Sequence, residues 1–180
     1  NMGYDELFSV NRVLNEYDFP PLELLHFLLI ELKLGRHYKG QFKITKRGAA
    51  MLENPAQLLN TLVPFYILNI DHSAYSRSGE QALGTWDVWL NVLNVEAENA
   101  ATELELYAVF YGPLSDEPMA WRATSAFYSC VLRPLCWAGL LLEHKDQDAR
   151  RSEAVYLKTP LWPAWLQLDT DDIVEPAQRH

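Results

Sequence analysis

One order of segments occurs twice along this chain and constrains its fold more than any other feature. In the first copy, apolar residues recur at helical spacing from Leu22 to Leu34, which predicts an amphipathic helix. Residues 38–45 then alternate around Gly40, as the residues of a short β-hairpin do. Thr45 is placed to cap the helix that follows, because its hydroxyl can accept an orphan backbone N–H.

Proline and glycine mark the ends of these first segments. Pro20 and Pro21 predict the start of the first amphipathic helix, whose apolar stripe is formed by residues 22, 25, 28, 29 and 32, and Gly35 predicts its C-cap. Pro55 predicts a break before a further helix over residues 56–67. A supporting helix is predicted ahead of this copy, over residues 6–17.

The second copy has the same order of segments over the last hundred residues. Helices are predicted over residues 81–95 and 103–111, and a longer one begins at Trp121 and runs past Leu135. Leu140 to Leu142 and Val155 to Leu157 then flank a polar excursion about eight residues longer than the first hairpin loop. Thr159, Trp162, Ala164 and Leu166 align with Thr45, Gly48, Ala50 and Leu52 at a constant offset of 114.

The residues after the first helix carry a resemblance to a known superfamily. Leu34-Gly35 and the run from Lys43 to Leu52 are similar to the wing and following helix of bacterial winged-helix proteins, a variant of the helix-turn-helix. Residues 131–135, 139–140 and 157–161 are also similar to helical regions of bacterial Ri-plasmid-type open-reading-frame proteins. The resemblance implies a mainly α fold with small β-hairpin wings, in tandem, and implies no ligand.

Charge divides the chain into two unequal halves. Residues 1–70 hold 7 basic and 7 acidic side chains, so the formal charge of −9 arises wholly in residues 71–180. The small and polar residues 71–79 interrupt the helical pattern. We therefore predict a first winged-helix unit over residues 1–70, a linker over 71–79, and an acidic second unit over 80–180.

The candidate binding residues form a basic segment within the first unit. The segment carries six formal positive charges in 15 residues, at the predicted helix end and wing: Lys33, Arg36, His37, Lys39, Lys43, Lys46 and Arg47. Cations at these places of a winged helix can contact the phosphates of double-stranded DNA. The alternative is that an exposed hairpin carries Lys and Arg for solubility and against edge pairing. In the second copy Trp162 replaces Gly48, which argues against a DNA role there.

A second function class stays open beside DNA binding. The second unit is acidic and carries Trp121, Trp137, Trp162 and Trp165, and aromatic residues are enriched at protein interfaces. They would equally fill a core between helices. The chain is thus expected either to regulate transcription through DNA or to serve as an adaptor or homodimerisation module through its second unit.

Several classes of protein are disfavoured by what the sequence lacks. The five histidines do not combine with Cys or carboxylates at metal-ligand spacing, and Cys130 and Cys136 match neither a redox pair nor a zinc knuckle; we expect two buried free thiols. No nucleophile elbow or phosphate-binding glycine loop occurs, so neither catalysis nor a cofactor is expected. With no apolar run long enough for a membrane span, a cytoplasmic location is expected.

Overall fold

The computed structural model describes residues 19–76, 79–146 and 153–174. These residues are mainly α-helical with two small antiparallel sheets, and the chain divides into two compact units between Tyr66 and Ile67. The second unit thus starts ahead of the predicted linker. The helix predicted over residues 6–17 lies outside the described residues.

The described residues of the first unit form three helices and a two-stranded sheet. Its elements are α1 (Pro20–Glu31), β1 (Gly35–Tyr38), β2 (Gln41–Ile44), α2 (Lys46–Met51) and α3 (Pro55–Asn69), whose last turn crosses into the second unit. Leu24 and Leu28 of α1 are buried, as are Leu34 and Met51. The predicted helix and hairpin are confirmed by α1, β1 and β2. The predicted threonine cap is confirmed as well, since Thr45 Oγ1 accepts the Gly48 N–H at 3.0 Å at the start of α2.

Two details of α1 differ from the prediction. Leu24 is buried, whereas Leu22 and Leu25 of the predicted apolar stripe are exposed; in a helix this rich in leucine, spacing cannot select the buried face. The helix also ends earlier than predicted. The left-handed residue after its last turn is Lys33, with φ of 57°, and Gly35 is already the first residue of β1.

The second unit contains five α-helices and a three-stranded sheet among its described residues. They are α4 (Trp86–Glu96), β3 (Ala101–Thr102), α5 (Glu103–Tyr111), α6 (Trp121–Phe127), α7 (Arg133–Trp137), β4 (Leu141–His144), β5 (Val155–Lys158) and α8 (Leu161–Trp165). A π-helical turn, Tyr128–Leu132, joins α6 to α7. The strand order is β3-β5-β4, and all pairs are antiparallel.

The π-helical turn has a local cause in the sequence. Pro134 has no N–H to donate to the carbonyl one turn earlier, and its ring crowds that carbonyl. The turn widens just ahead of this proline, as helices commonly do where the hydrogen-bond ladder is interrupted. Phe127, Leu132 and Leu135 nevertheless all remain fully buried. The long helix predicted from Trp121 is therefore present, with one irregular turn.

The predicted linker is packed against the second unit. His72–Tyr75 forms a 3₁₀ helix, and His72 and Ser73 are buried. The Arg133 guanidinium donates to the Tyr75 carbonyl at 3.1 Å, and the His72 ring packs edge-on against Trp86 at 5.8 Å. These described residues of the predicted linker thus form a capped turn with buried side chains, as small polar residues can.

The two hairpins are closed by the same set of hydrogen bonds. In the first unit, Thr45 N–H donates to Leu34 O at 2.9 Å and Thr45 Oγ1 donates to Lys33 O at 2.7 Å. In the second unit, Thr159 N–H donates to Leu140 O at 3.0 Å and Thr159 Oγ1 donates to Gly139 O at 2.6 Å. We call this arrangement the threonine clasp.

The helix ends that feed the two clasps also match. Leu34 N–H bonds Leu29 O at 2.8 Å, and Leu140 N–H bonds Leu135 O at 2.9 Å, the long bond of a Schellman motif. The left-handed residue is Lys33 in one and Gly139 in the other. Two residues, 39–40, separate the strands of the first hairpin and ten, 145–154, separate those of the second, a difference of eight.

Candidate nucleic-acid interface

The β1–β2 hairpin is the element that carries most of the predicted site. Its strands pair with Arg36 opposite Lys43 and His37 opposite Phe42. Lys39 and Gly40 form the two-residue turn with φ of 50° and 74°, and positive φ at both central residues suits the right-handed twist of a hairpin. Since paired residues share a face, the register decides which predicted residues lie together.

Three of the predicted cations surround one exposed tyrosine on the outer side of the hairpin. The Arg36 guanidinium carbon lies 5.6 Å from the Tyr38 ring centroid, and the Lys39 and Lys43 ammonium nitrogens lie 5.5 and 5.2 Å from it. Tyr38 is 46% exposed. We call these four residues the cationic face. Among the described residues, no carboxylate forms an ion pair with any of its three cations.

His37 lies on the opposite side of the hairpin from the cationic face. Its ring is 5.7 Å from Phe42 and 4.9 Å from His26 of α1. Phe42 in turn packs edge-on against His26 at 4.6 Å and lies over Gly35, where a Cβ would collide with the Phe42 ring. The structure therefore separates His37 from the other predicted site residues and places it against α1.

The remaining predicted cations lie at the two ends of the hairpin. Lys33 is the left-handed residue after α1, and Lys46 and Arg47 form the first turn of α2. All three are exposed. Lys46 and Arg47 lie at the N-terminal, positive end of the α2 dipole, so their charges add to its positive potential. The first turn of α2 has no acidic residue that would reduce this potential.

The helix that precedes the hairpin lacks the side chains that make most specific contacts to bases. Between Pro20 and Glu31, α1 contains no Lys, Arg, Asn or Gln, the residue types that make most specific contacts to base edges. Its exposed positions include Leu22, Leu25, Phe27 and Ile30. This surface is largely apolar and has no Lys or Arg, which favours contact with protein over contact with DNA.

The second hairpin lacks an equivalent of the cationic face in its described strands. Its one strand lysine, Lys158, donates to the Asn94 carbonyl at 2.7 Å and forms an ion pair with Glu98. Asn94 is buried and its amide oxygen also accepts from Trp162 Nε1 at 2.9 Å. Lys158 therefore stabilises the interior of the second unit. Residues 147–152, which hold Arg150 and Arg151, lie outside the described part.

The tryptophans of the second unit divide between core and surface. Trp162 is buried, Trp165 is half-buried, and Trp121 and Trp137 are exposed. The Arg133 guanidinium lies 5.2 Å from the Trp137 ring centroid, so this exposed ring already contacts a cation. The sequence left core and interface roles open for all four, and the structure gives a core position to Trp162.

The two thiols are free. Cys130 is buried and Cys136 is half-buried, so the prediction of buried thiols is confirmed in full for Cys130 alone. Burial raises the pKa of Cys136 to about 12, and the nearby Glu143 carboxylate adds to that shift. Burial likewise raises the pKa of Cys130. Neither cysteine is thus a reactive thiolate at neutral pH.

Sequence reasoning missed two pairings across distant segments. His26 and His37 are 11 residues apart in sequence, and their Nε2 atoms lie 3.1 Å apart. Asn94 binds the C-terminal segment, with Nδ2 donating to Thr170 Oγ1 at 3.0 Å and to Asp171 Oδ1 at 2.9 Å. Only the unusual position of a histidine in the apolar helix α1 could have drawn attention to the first pairing.

Comparison with known proteins matches most of the chain to the two parts of one protein. The family described as "Y4jL N-terminal domain" matches residues 1–57, and the family described as "y4jL C-terminal domain" matches residues 76–160. The uncharacterized protein y4jL of Sinorhizobium fredii is 32% identical over 99 residues. These residues cover 54% of this chain and 45% of that relative, so the match spans less than half of its length. No solved structure matches.

None of these names carries a function. The boundary between the matched domains falls between residues 57 and 76, and the division into compact units, between Tyr66 and Ile67, falls within that interval. Within the described residues, the structure also has no helix of the length and apolarity that crossing a membrane requires.

Proposed function

We propose that this chain is a tandem winged-helix protein that binds the phosphate backbone of double-stranded DNA through the cationic face of its first unit, in the bacterial cytoplasm. The observation that carries the proposal is the group of three cations around Tyr38. Three positive charges close together on an exposed hairpin repel one another unless an anion neutralises them. A nucleic-acid backbone supplies such anions at regular spacing.

The order of elements supports the winged-helix part of the proposal. In the second unit, α4, β3, α5 and the long helix of α6 and α7 precede the β4–β5 hairpin, and β3 pairs with β5. A short strand that lies between the first two of these helices and pairs with the wing hairpin suits a winged helix. The shared threonine clasp supports the view that the first unit is a copy of the same plan, with a shorter wing.

The composition of α1 decides which mode of DNA binding is proposed. A recognition helix that reads bases needs polar side chains with several donors or acceptors, and α1 has none of the main ones. Phosphate contacts from the wing position a protein without reading sequence. We therefore expect low sequence preference and a strong dependence of affinity on salt, since the chain as a whole carries a formal charge of −9.

The test compares the salt dependence of binding between two variants of equal charge. Affinity for a random-sequence duplex is measured by fluorescence anisotropy over a series of salt concentrations. Lys39→Gln/Lys43→Gln should lower the slope of log K against log salt by about 0.9 for each phosphate that the variant no longer neutralises. The control, Arg122→Gln/Lys145→Gln, removes two exposed cations of the second unit and should leave the slope unchanged. An equal decrease of the slope in both variants, or no binding by the wild type, would contradict the proposal.

A second candidate function rests on the exposed apolar residues of α1. Leu22, Leu25, Phe27 and Ile30 are exposed on one short helix, and surface patches of this kind commonly serve protein interfaces. The alternative proposal is therefore an adaptor or dimerisation module. Sedimentation of the wild type and of Leu25→Ser/Phe27→Ser distinguishes it: self-association that the substitutions abolish, together with no salt-dependent affinity for DNA, would favour the alternative.

A further inference from the structure

We propose that Tyr38 is a positioning residue of the phosphate-binding site: its ring holds the side chains of Arg36, Lys39 and Lys43 together, ready to contact a nucleic-acid backbone. This role rests on the proposed function, because it concerns how the cationic face binds phosphates. It adds a contribution that charge alone does not supply, since the Tyr38 ring itself carries no formal charge.

The register of the hairpin brings these side chains to one side. Arg36 lies opposite Lys43 on the paired strand, and Tyr38 follows Arg36 by two residues, so the three share a face of the sheet. Lys39 is the first residue of the turn, with φ of 50°, and its ammonium nitrogen lies 5.5 Å from the Tyr38 ring centroid. The Arg36 guanidinium carbon and the Lys43 ammonium nitrogen lie 5.6 and 5.2 Å from it. All three distances are within about 6 Å, the range over which a ring attracts a cation.

The Tyr38 ring is the attractive partner that the three cations share. Like charges this close together repel one another, and no carboxylate among the described residues forms an ion pair or a hydrogen bond with Arg36, Lys39 or Lys43. The negative face of the ring offsets part of this repulsion. A carboxylate in the same place would also hold the cations, but it would cancel one positive charge. An aromatic ring leaves all three charges available to phosphates.

The exposure of the cluster lets phosphates reach the cations while the ring contacts persist. Tyr38 is 46% exposed, and Arg36, Lys39 and Lys43 are exposed as well. Lysine and arginine have flexible side chains that lose rotamer freedom when they bind a ligand. Side chains that the ring already restrains lose less of this freedom, so the affinity rises without any new contact to DNA.

The first experiment tests the ring contacts without DNA. An aromatic ring shifts the NMR signals of protons that lie over its face, so the side-chain methylene signals of Arg36, Lys39 and Lys43 are recorded in the full chain. We expect upfield shifts in the wild type and in Tyr38→Phe, and ordinary positions in Tyr38→Leu. The amide signals of residues 35–44 show whether each variant keeps the hairpin. Ordinary methylene positions in the wild type would overturn the positioning role without any substitution.

The second experiment separates positioning from direct contact through the salt dependence of affinity for a random-sequence duplex. Tyr38→Leu keeps all three cations, so the slope of log K against log salt should stay unchanged. The affinity itself should fall at every salt concentration, by about twofold to tenfold for each side chain that must now be ordered on binding. Tyr38→Phe should bind like the wild type. The control, Phe27→Leu, removes an exposed ring of α1 and should also bind like the wild type.

The outcomes distinguish the role of the ring from the proposed function. Wild-type affinity in Tyr38→Leu, or an equal loss of affinity in Tyr38→Phe and Tyr38→Leu, would contradict the positioning role. A lower salt slope in Tyr38→Leu would contradict it as well, because the number of neutralised phosphates would then depend on the ring. Failure of the proposed function has a different signature: the wild type would show the ring-shifted methylene signals but no salt-dependent affinity for the duplex.

Discussion

Gly48 is the residue at which one added methyl group should disturb the first threonine clasp most. Gly48 is buried at the start of α2, and a Cβ there would lie inside 3.0 Å of the Leu34 carbonyl oxygen and 2.9 Å from Ile44 Cγ1. The Leu34 oxygen accepts from Thr45 N–H at 2.9 Å and from Thr45 Oγ1 at 3.1 Å. Gly48→Ala must therefore move a backbone group that is already held by two hydrogen bonds.

The size of the effect follows from these contacts. Overpacking costs about 1–3 kcal/mol, and weakening two hydrogen bonds costs about 1 kcal/mol for each. The higher helix propensity of alanine offsets about 1 kcal/mol of this loss of stability. We expect Gly48→Ala to lower the free energy of unfolding of the first unit by roughly 2–4 kcal/mol. Ala49→Ser, one residue later and exposed, is the control and should cost no more than about 0.7 kcal/mol.

The assay must report on the first unit alone. All six tryptophans, the first of which is Trp86, lie in the second unit, so tryptophan fluorescence does not follow the first. Amide exchange of residues 34–45, measured by mass spectrometry or NMR, reports on the hairpin and its clasp. Faster exchange there, with an unchanged fluorescence transition, is the expected result. Wild-type protection of these amides in Gly48→Ala would refute the steric argument.

Two further predictions concern the second unit. Asn94→Ala removes the acceptor of the buried Trp162 N–H and the donor to Thr170 and Asp171. It should therefore lower the free energy of unfolding by about 2–4 kcal/mol, measured by urea unfolding followed by tryptophan fluorescence. The control, the exposed Asn99→Ala, should stay within about 0.5 kcal/mol of the wild type, and equal urea midpoints for the two variants would contradict the assigned network. The Thr102 backbone N–H and hydroxyl, which donate to Glu105 Oε2 at 2.8 Å each, hold the pKa of Glu105 below its ordinary 4.5. In the unfolded chain the Glu105 carboxyl therefore binds a proton more readily than in the folded protein. The two hydrogen bonds to the Glu105 carboxylate stabilise the fold above pH 4.5, and this stabilisation is lost as the pH falls through the lower pKa of the folded state. Glu105→Gln should weaken the pH dependence of the urea midpoint on going to about pH 3, and an unchanged dependence would count against the capping box as its source.

The local elements were predictable because their signals lie within a few residues of one another. Thr45 caps its helix through Gly48 N–H, three residues away, and the Lys39–Gly40 turn is set by its own backbone. The difference of eight residues between the two hairpins was likewise predicted from the length of the polar excursion. Such features depend on short-range chemistry that a sequence displays directly.

The features that sequence reasoning missed depend on tertiary packing. The buried face of α1 could not be read from a helix in which Leu24, Leu25, Leu28 and Leu29 are all candidates for the core. His37 was grouped with the cations by proximity in sequence, but the strand register turns it toward His26. Side chains alternate across a strand, so neighbours in the sequence were divided between two surfaces.

The threonine clasp fixes the two ends of a hairpin and nothing between them. Both copies bind the threonine through main-chain carbonyls of the preceding helix end, which any residue supplies. The loop enclosed by the clasp is thus free to lengthen, and a gain of eight residues in one copy leaves both ends anchored alike. For protein engineering, we therefore expect residues 39–40 to accept an inserted peptide, because the threonine clasp forms around loops of different lengths.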